Sequence, residues 1–349
     1  MRRHEGLVKA YLERLEQELE ALYARYPEVQ LDTVYFGGGT PSHLTDAELA
    51  HIVAAFERTW GWPARLETTL EADPLTFDTA RLKVFKGLGF SRLSIGLQST
   101  QDAVLRFLGR LHSGREGLRA VDAALEAGFD VSADLITAVP GQEAAKDLHA
   151  LAATGVPHVS VYSLTIEPHT PFALRGIRVD EEKDAEDYAL AQRILPRYGL
   201  ERYEVSNHAQ VGHESQHNQV YWRGEYYLAA GPSAASFEPA EAPLLGCRYV
   251  NAPIKAWLQG AAPELHPVDA ETFANEMLLT GLRTARGVDL ERLAARTGID
   301  LTVRAAGVIR TLLDRGLLAQ QGPYLRATDT GLTRLNAVVR ALWRRHQAA

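Results

Sequence analysis

From Val8 onward, apolar side chains recur at Val8, Tyr11, Leu12, Leu15, Leu19 and Leu22, spacings of three and four that gather them on one face of an amphipathic helix. A β-rich run, Thr33 to Phe36, then meets a glycine turn. A helix is predicted over Thr45 to Thr59, with Asp46 and Glu48 in the first turn, where the helix dipole favours negative charge. The alternation continues with strands predicted at Glu67 to Glu71, Arg92 to Leu97, Val131 to Ile136 and His158 to Ile166. Between them lie helical patterns at Phe77 to Gly87, Asp102 to Leu108, Arg115 to Ala127 and Ala144 to Thr154. Strands alternating with helices predict parallel βαβ units. Right-handed crossovers then bring the strand carboxyl ends to one rim, where such folds hold ligands.

The last third has a different rhythm. After a loop at Gln259 to Pro267, helices are predicted at Ala270 to Thr284, which carries Leu278, Leu279 and Leu282, and at Leu290 to Thr297 and Val303 to Arg315. Short strands around Leu317 to Ala319 and Tyr324 to Arg326 precede a last helix ending at Trp343-Arg344-Arg345. That order predicts a winged-helix-like module. From Arg283 on, twelve arginines face five acidic residues, although the whole chain carries a net charge of -7. A basic winged helix is a candidate for DNA binding. The arginines are spread over several helices instead of one recognition helix, which favours packing or an acidic partner surface over nucleic acid.

With 349 residues and 46% hydrophobic content the chain buries a substantial core, and its length allows two or three domains. No apolar run approaches a membrane span, and the start Met1-Arg2-Arg3-His4-Glu5 lacks the apolar stretch of a secretory signal, so a cytoplasmic protein is expected. The only cysteine, Cys247, forms no internal disulfide and no thiolate cluster by itself; a structural role is expected for it.

The predicted topology gives several polar residues a common address. Gly37 to Thr40, Glu71, Gln98 and Asp134 are each expected at or just past the end of a predicted strand and so to converge on one mouth. Each has a plain alternative: a tight βα turn, a helix-capping carboxylate, an amide satisfied by backbone. Their convergence is the functional signal.

These residues lie within a longer series. YFGGGTPS at 35 to 42, LEADP at 70 to 74, LSIGLQS at 93 to 99, LGRLH at 108 to 112, DLI at 134 to 136 with Pro140-Gly141, YSLTIEPHT at 162 to 170 and HNQVYW at 217 to 222 occur in that order. The series resembles HemW-type heme chaperones, relatives of oxygen-independent coproporphyrinogen III oxidase in the radical S-adenosylmethionine (SAM) superfamily, over nearly the whole chain. The resemblance implies an α/β fold: a partial radical-SAM (β/α)6-type barrel lacking its first strand, a small α+β region, and the winged-helix-like domain. The corresponding segments are 1–175, 176–262 and 263–349.

The resemblance also implies site residues. Gly38, Gly39 and Thr40 match the turn that takes the methionine end of SAM, where no bulky side chain is expected to fit. Glu71 matches a contact to ribose hydroxyls or a charged amine, and Gln98, Arg110 and Asp134 match further polar contacts. Arg110 is a candidate fork for the SAM carboxylate, its alternative being a surface salt bridge. Ser163 matches a position near the nucleoside. At 216 to 222, His217 is the candidate heme iron ligand, with Asn218, Tyr221 and Trp222 completing the heme motif. The alternative is a hydrogen-bonded structural histidine in a β region. His208 and His213 are further candidates, placed in a polar loop and expected to be solvated. Ala235 stands where relatives often have a second histidine.

Relatives hold a [4Fe-4S] cluster on three cysteines after a first barrel strand; this chain has neither, so it cannot ligate that cluster. Either the true protein starts upstream of Met1, the reading we favour because losing an internal strand opens a sheet edge, or the cluster has been lost. Three functions follow from the resemblance: a heme chaperone that delivers heme to acceptor proteins, membrane-bound respiratory proteins included; a coproporphyrinogen III oxidase; or a cluster-free SAM- or heme-binding protein. Homodimerisation is left open.

Overall fold

Helix α1 (Glu5–Arg25) buries Leu15, Leu19 and Leu22, the face marked by its three-and-four spacing. The computed structural model describes residues 5–62 and 66–343. Past α1 the chain alternates through β1 (Thr33–Phe36), α2 (Asp46–Glu57), β2 (Glu67–Ala72), α3 (Thr79–Gly87), β3 (Arg92–Gln98), α4 (Asp102–Phe107) and α5 (Gly114–Glu126). It continues through β4 (Asp130–Thr137), α6 (Ala144–Ala152), β5 (His158–Ser163), α7 (Pro171–Leu174), α8 (Glu181–Ile194), β6 (Glu201–Arg202) and β7 (Asn207–Ala209). The strands make one sheet in the order β1-β2-β3-β4-β5-β7-β6. It is parallel from β1 to β5 and antiparallel where β7 meets β5 and β6.

The expected strands are present within one or two residues, save that β5 stops at Ser163 instead of Ile166. The antiparallel pair β6 and β7 was not expected, since two or three residues carry too little alternation to signal a strand. Helix starts follow side-chain chemistry. Thr45 and Glu48 form a capping box on α2, with Glu48 N–H donating to Thr45 Oγ1 at 3.3 Å and Thr45 N–H to Glu48 Oε2 at 2.7 Å. Ser113 and Glu116 do the same for α5.

Period-two alternation sorts the strands into two faces. Leu70, Leu93, Ile95, Leu97, Val131, Leu135 and Val159 face the helices and pack with Leu49 and Val53 of α2, Leu82 and Phe85 of α3, Val121 of α5 and Leu148 of α6. On the opposite face the register aligns Glu71 with Ser94, Ser94 with Ser132, and Asp134 with Ser160. That face is polar although much of it is buried: Thr69, Arg92, Ser132, His158 and Ser160 are all at most 4% exposed.

The remaining elements are α9 (Gln216–Trp222), β8 (Ala235–Glu238), β9 (Gly246–Val250), α10 (Ile254–Leu258), β10 (Glu264–Val268) and α11 (Ala270–Gly281). They are followed by β11 (Val288–Asp289), α12 (Leu290–Thr297), α13 (Leu301–Arg304), α14 (Ala306–Asp314), β12 (Leu318–Gln321), β13 (Tyr324–Ala327), α15 (Asp329–Leu332) and α16 (Leu335–Trp343). Two three-stranded antiparallel sheets form, β10-β9-β8 and β11-β13-β12. From α11 onward the order helix, strand, helices, hairpin, helix is the winged-helix-like one, around Leu278, Leu282, Val288, Leu293, Ile309, Leu325 and Val338. The helix expected over Val303 to Arg315 is two helices, broken at Ala305, with Asp300 capping the first.

The described residues fall into two compact units, one spanning Gln30–Ser215 and the other combining residues up to Val29 with those from Gln216. Helix α1 belongs to the second through a set of partly buried polar contacts. The Glu18 carboxylate accepts from Gly231 N at 3.0 Å, Asn251 Nδ2 at 2.6 Å and Trp257 Nε1 at 2.9 Å. The Arg25 guanidinium meets Glu238 at 2.9 Å. The expected segment 1–175 thus draws from both units, because the partners of α1 are more than two hundred residues away in sequence, beyond the reach of a local pattern.

Leu70, fully buried on β2, tests the helix-facing core. Leu70→Ala is expected to lower the unfolding free energy by about 3 kcal/mol, read as a lower urea midpoint at unchanged denaturant slope.

Candidate functional site

At the carboxyl end of β1 the chain turns through Gly37, Gly38, Gly39 and Thr40 into a short 3-10 turn, Pro41–His43. Gly38 has φ +84°, the left-handed region that favours glycine. Its N–H donates to Glu71 Oε2 at 3.1 Å, and the Tyr35 hydroxyl donates to Glu71 Oε1 at 2.6 Å. Burial, with Glu71 beside it, holds the Tyr35 phenol protonated far above its ordinary range. A methyl group at Gly37 would lie 2.4 Å from the Tyr35 ring and 2.7 Å from Glu71, whereas one at Gly38 or Gly39 would meet nothing within 4 Å. Within the protein itself the steric demand is thus at Gly37 and the conformational one at Gly38. Arg81 pins the end of the turn by donating to the carbonyls of Ser42, Leu44 and Thr76 at 2.6, 2.7 and 2.6 Å.

Gln98 closes β3 with φ +66°, an uncommon conformation for a residue bearing a side chain. The segment after it is fastened to one fully buried carboxylate, Asp147 of α6. Asp147 accepts from Ser99 Oγ at 2.9 Å, Thr100 N at 2.7 Å, Thr100 Oγ1 at 2.6 Å, Gln101 Nε2 at 3.0 Å and Gln142 Nε2 at 2.8 Å. Sequence reasoning missed this hub, because an acidic residue in the first turn of a helix already has an explanation in the helix dipole.

Asp134 lies inside β4, three residues short of its end, and projects from the polar face. Burial raises its carboxyl to about 6, opposed by a hydrogen bond from Ser160, reinforced by the nearby Glu71, and opposed again by Arg92 and Arg110. Tyr162 is pushed up to about 12 by burial and by Asp134. Arg110 Nη1 stands 3.4 Å from Asp73 Oδ2, so the expected anion fork also takes part in an ion pair. Ser163 ends β5, and its hydroxyl donates to Asp184.

Of the expected SAM residues, the fold brings Gln98, Arg110, Asp134 and Ser163 into one cleft of about 350 Å³, together with Tyr162 and Phe172. The Gly37–Thr40 turn and Glu71 form a second cluster on the same sheet, sensed electrostatically by Asp134. Tyr35, Tyr162 and Ser160 were not singled out in the sequence; the signal for the last two was their alternation on β5, which sets them on the same face as Asp134. Carboxylates, a guanidinium, an amide and exposed backbone can hold a zwitterionic amino-acid group and sugar hydroxyls, so these residues fit SAM. They do not fit a [4Fe-4S] cluster. The one cysteine is buried in β9, and among the described residues no group of three His, Cys, Asp or Glu side chains is placed to hold a metal ion.

The motif at 216 to 222 is helical, as α9, which corrects the β alternative for His217. The i, i+4 spacing stacks His217 against Tyr221, with Nε2 and the hydroxyl 2.7 Å apart and the rings edge to face at 5.0 Å. Tyr221 in turn packs edge to face on Tyr227 at 4.6 Å. Burial lowers His217 to about 4, so its imidazole is neutral at pH 7, the form that ligates iron. The Trp222 carbonyl accepts from Thr280 Oγ1 at 3.3 Å, tying the helix end to α11. Asn218 lies on the same helix, half-buried. His208 is not in a solvated loop: it is buried on β7, 3.2 Å from Gln192 Nε2, and lowered to about 4 by burial and Arg202. His213, half-exposed, bonds Asp130 at 2.8 Å. Ala235 opens β8 and is exposed.

A parallel sheet with this polar rim and a helical carboxyl-terminal module is the fold of radical SAM proteins of the coproporphyrinogen oxidase type. Residues 2–154 match the Radical SAM superfamily profile, and residues 268–333 match the HemN C-terminal domain. Coproporphyrinogen III oxidase (HemN) from Escherichia coli, a radical SAM enzyme, shares the fold at a TM-score of 0.80 over 97% of this chain and 84% of that one, with 19% identity. The chain is 31% identical to the heme chaperone HemW of Bacillus subtilis over 93% of its own length and 88% of the relative's. It is 32% identical to HemW of Lactococcus lactis over 93% and 86%, and 32% identical to the mitochondrial radical S-adenosyl methionine domain-containing protein 1 of Bos taurus over 92% and 77%. The chain belongs to the HemW heme chaperone family.

The raised Asp134 has a stability signature. Its folded value near 6 exceeds the unfolded carboxyl value, so the native state holds the extra proton between the two; the associated stability is present at low pH and lost as pH rises through 6. Asp134→Asn is expected to stabilise the fold at pH 8 by about 1–3 kcal/mol in urea unfolding, with the gain shrinking toward pH 4. A gain independent of pH would contradict the assignment.

Proposed function

We propose that this protein is a heme chaperone of the HemW type, which binds heme at α9 and passes it to acceptor proteins, membrane-bound respiratory proteins among them. His217 is the iron ligand in this reading, with Asn218, Tyr221 and Trp222 around it. The observation that carries it is a neutral, half-buried imidazole set among aromatic rings on the motif helix of a chain that matches HemW over most of its length. In the same reading the protein works in the cytoplasm. No described helix is long and apolar enough to cross a membrane. Gly38, Gly39, Thr40, Glu71, Gln98, Arg110, Asp134 and Ser163 bind SAM in the same reading, Arg110 through the carboxylate. SAM bound there supplies a sulfonium methionine whose charged groups match the rim; the chain's residues bind and orient it. No cluster-dependent step is assigned.

Binding, turnover and variant measurements test this. Purified protein is expected to bind hemin stoichiometrically and to leave coproporphyrinogen III unchanged in the presence of SAM and reductant, and His217→Ala is expected to shift the Soret band and weaken hemin retention at least tenfold. Decarboxylation of coproporphyrinogen would replace the chaperone with the oxidase, and an unaltered spectrum in His217→Ala would remove the ligand. For the rim, Arg110→Ala is expected to weaken SAM binding in calorimetry about tenfold or more, in line with a lost charge-assisted hydrogen bond of roughly 1.5–3 kcal/mol.

A further inference from the structure

We infer that Tyr221 competes with heme iron for the Nε2 nitrogen of His217, so that the motif tyrosine controls how tightly the cargo is held. The inference rests on the reading of His217 as the iron ligand. Its warrant is one contact: the Tyr221 hydroxyl lies 2.7 Å from His217 Nε2.

An iron–imidazole bond uses the in-plane lone pair of a neutral ring nitrogen. In one tautomer Nε2 is unprotonated and that lone pair already accepts the phenol hydrogen. In the other, Nε2 carries a proton and donates it to the phenol oxygen, and no lone pair is available until the proton moves to Nδ1. Both hydrogen-bonded forms therefore exclude iron from Nε2. A hydrogen bond and a coordinate bond approach the nitrogen along the same direction, so the hydroxyl must leave before the metal arrives.

The contact is built into the helix. Positions four apart on α9 overlie each other, and the Tyr221 ring has an edge-to-face partner in Tyr227 at 4.6 Å. The residue is 38% exposed, so its ring is not enclosed on all sides. Heme ligation thus carries the cost of breaking the Tyr221–His217 bond, and heme departure recovers it. For a protein that must surrender its cargo this is a useful bias, since a state stabilised without ligand lowers apparent affinity. Tyr221 is then more than a wall of the porphyrin site: it is a positioning residue acting through His217.

The test is titration of the full chain with hemin, followed at the Soret band, in parallel with metal-free protoporphyrin IX, which offers no iron to His217. Tyr221→Phe keeps the ring and removes the hydroxyl. It is expected to bind hemin about fivefold more tightly, equivalent to about 0.9 kcal/mol, and to release it more slowly to an apo-globin trap, with protoporphyrin IX affinity unchanged. In a His217→Ala background the gain disappears. Unchanged or weaker hemin binding by Tyr221→Phe, while His217→Ala alone impairs it, would overturn the competition and leave His217 as ligand. A gain equal for hemin and protoporphyrin IX would also overturn it, as an effect of pocket shape. If His217→Ala binds hemin as the wild type does, the ligand reading itself fails, and the competition with it.

Discussion

The sheet of the Gln30–Ser215 unit buries one face and much of the other, and only the first is apolar. The helix-facing side is closed by aliphatic packing that needs no special geometry beyond volume. The other side carries Glu71, Arg92, Ser132, Asp134, His158 and Ser160, each of which needs a partner or a raised energy. Parallel register and the segment between β6 and β7 supply the partners. Ser132 bonds His158 at 2.7 Å, His158 bonds Tyr203 at 2.7 Å, Arg92 pairs with Asp130, and Ser160 supports Asp134. One residue of register slip in any strand would exchange the two faces and lose both the core and this network.

The candidate SAM rim inherits its precision from that constraint. Glu71 is held from two sides by Tyr35 and Gly38, and the unusual backbone at Gln98 is followed directly by a segment that converges on Asp147. A similar device works after β4: Ala138 has φ +59° while its N–H donates to the buried Asp187 at 2.9 Å. Backbone strain at two strand ends is thus held by carboxylates from helices later in the chain, Asp147 of α6 and Asp187 of α8, which is how a loop can present polar atoms without disorder.

The second unit solves a different problem. It is joined from segments at opposite ends of the chain, and Glu18 does much of the joining by satisfying three donors from the Gly231 loop, Asn251 and Trp257. The motif helix α9 is short, so its position comes from contacts and not from propensity. Gly224, just beyond it, fits where a methyl group would lie 2.3 Å from the Met277 sulfur, and the Trp222 carbonyl is bonded to Thr280.

The sequence alone determined the βα alternation, the parallel sheet, the winged-helix-like order and the family, because these rest on local periodicity and on ordered motifs that survive without coordinates. The strands β1 to β5, and Asp46 and Glu48 as first-turn acids of α2, were legible for that reason. Contacts between distant residues were not. That α1 belongs with residues from Gln216 on, that α9 is a helix, that His208 is buried, and that Asp147 anchors the segment after Gln98 all depend on what meets across the fold. So does the state of each site residue: Asp134 is an acid near 6 and His217 a neutral base because burial penalises charge, and burial is a property of the assembled chain.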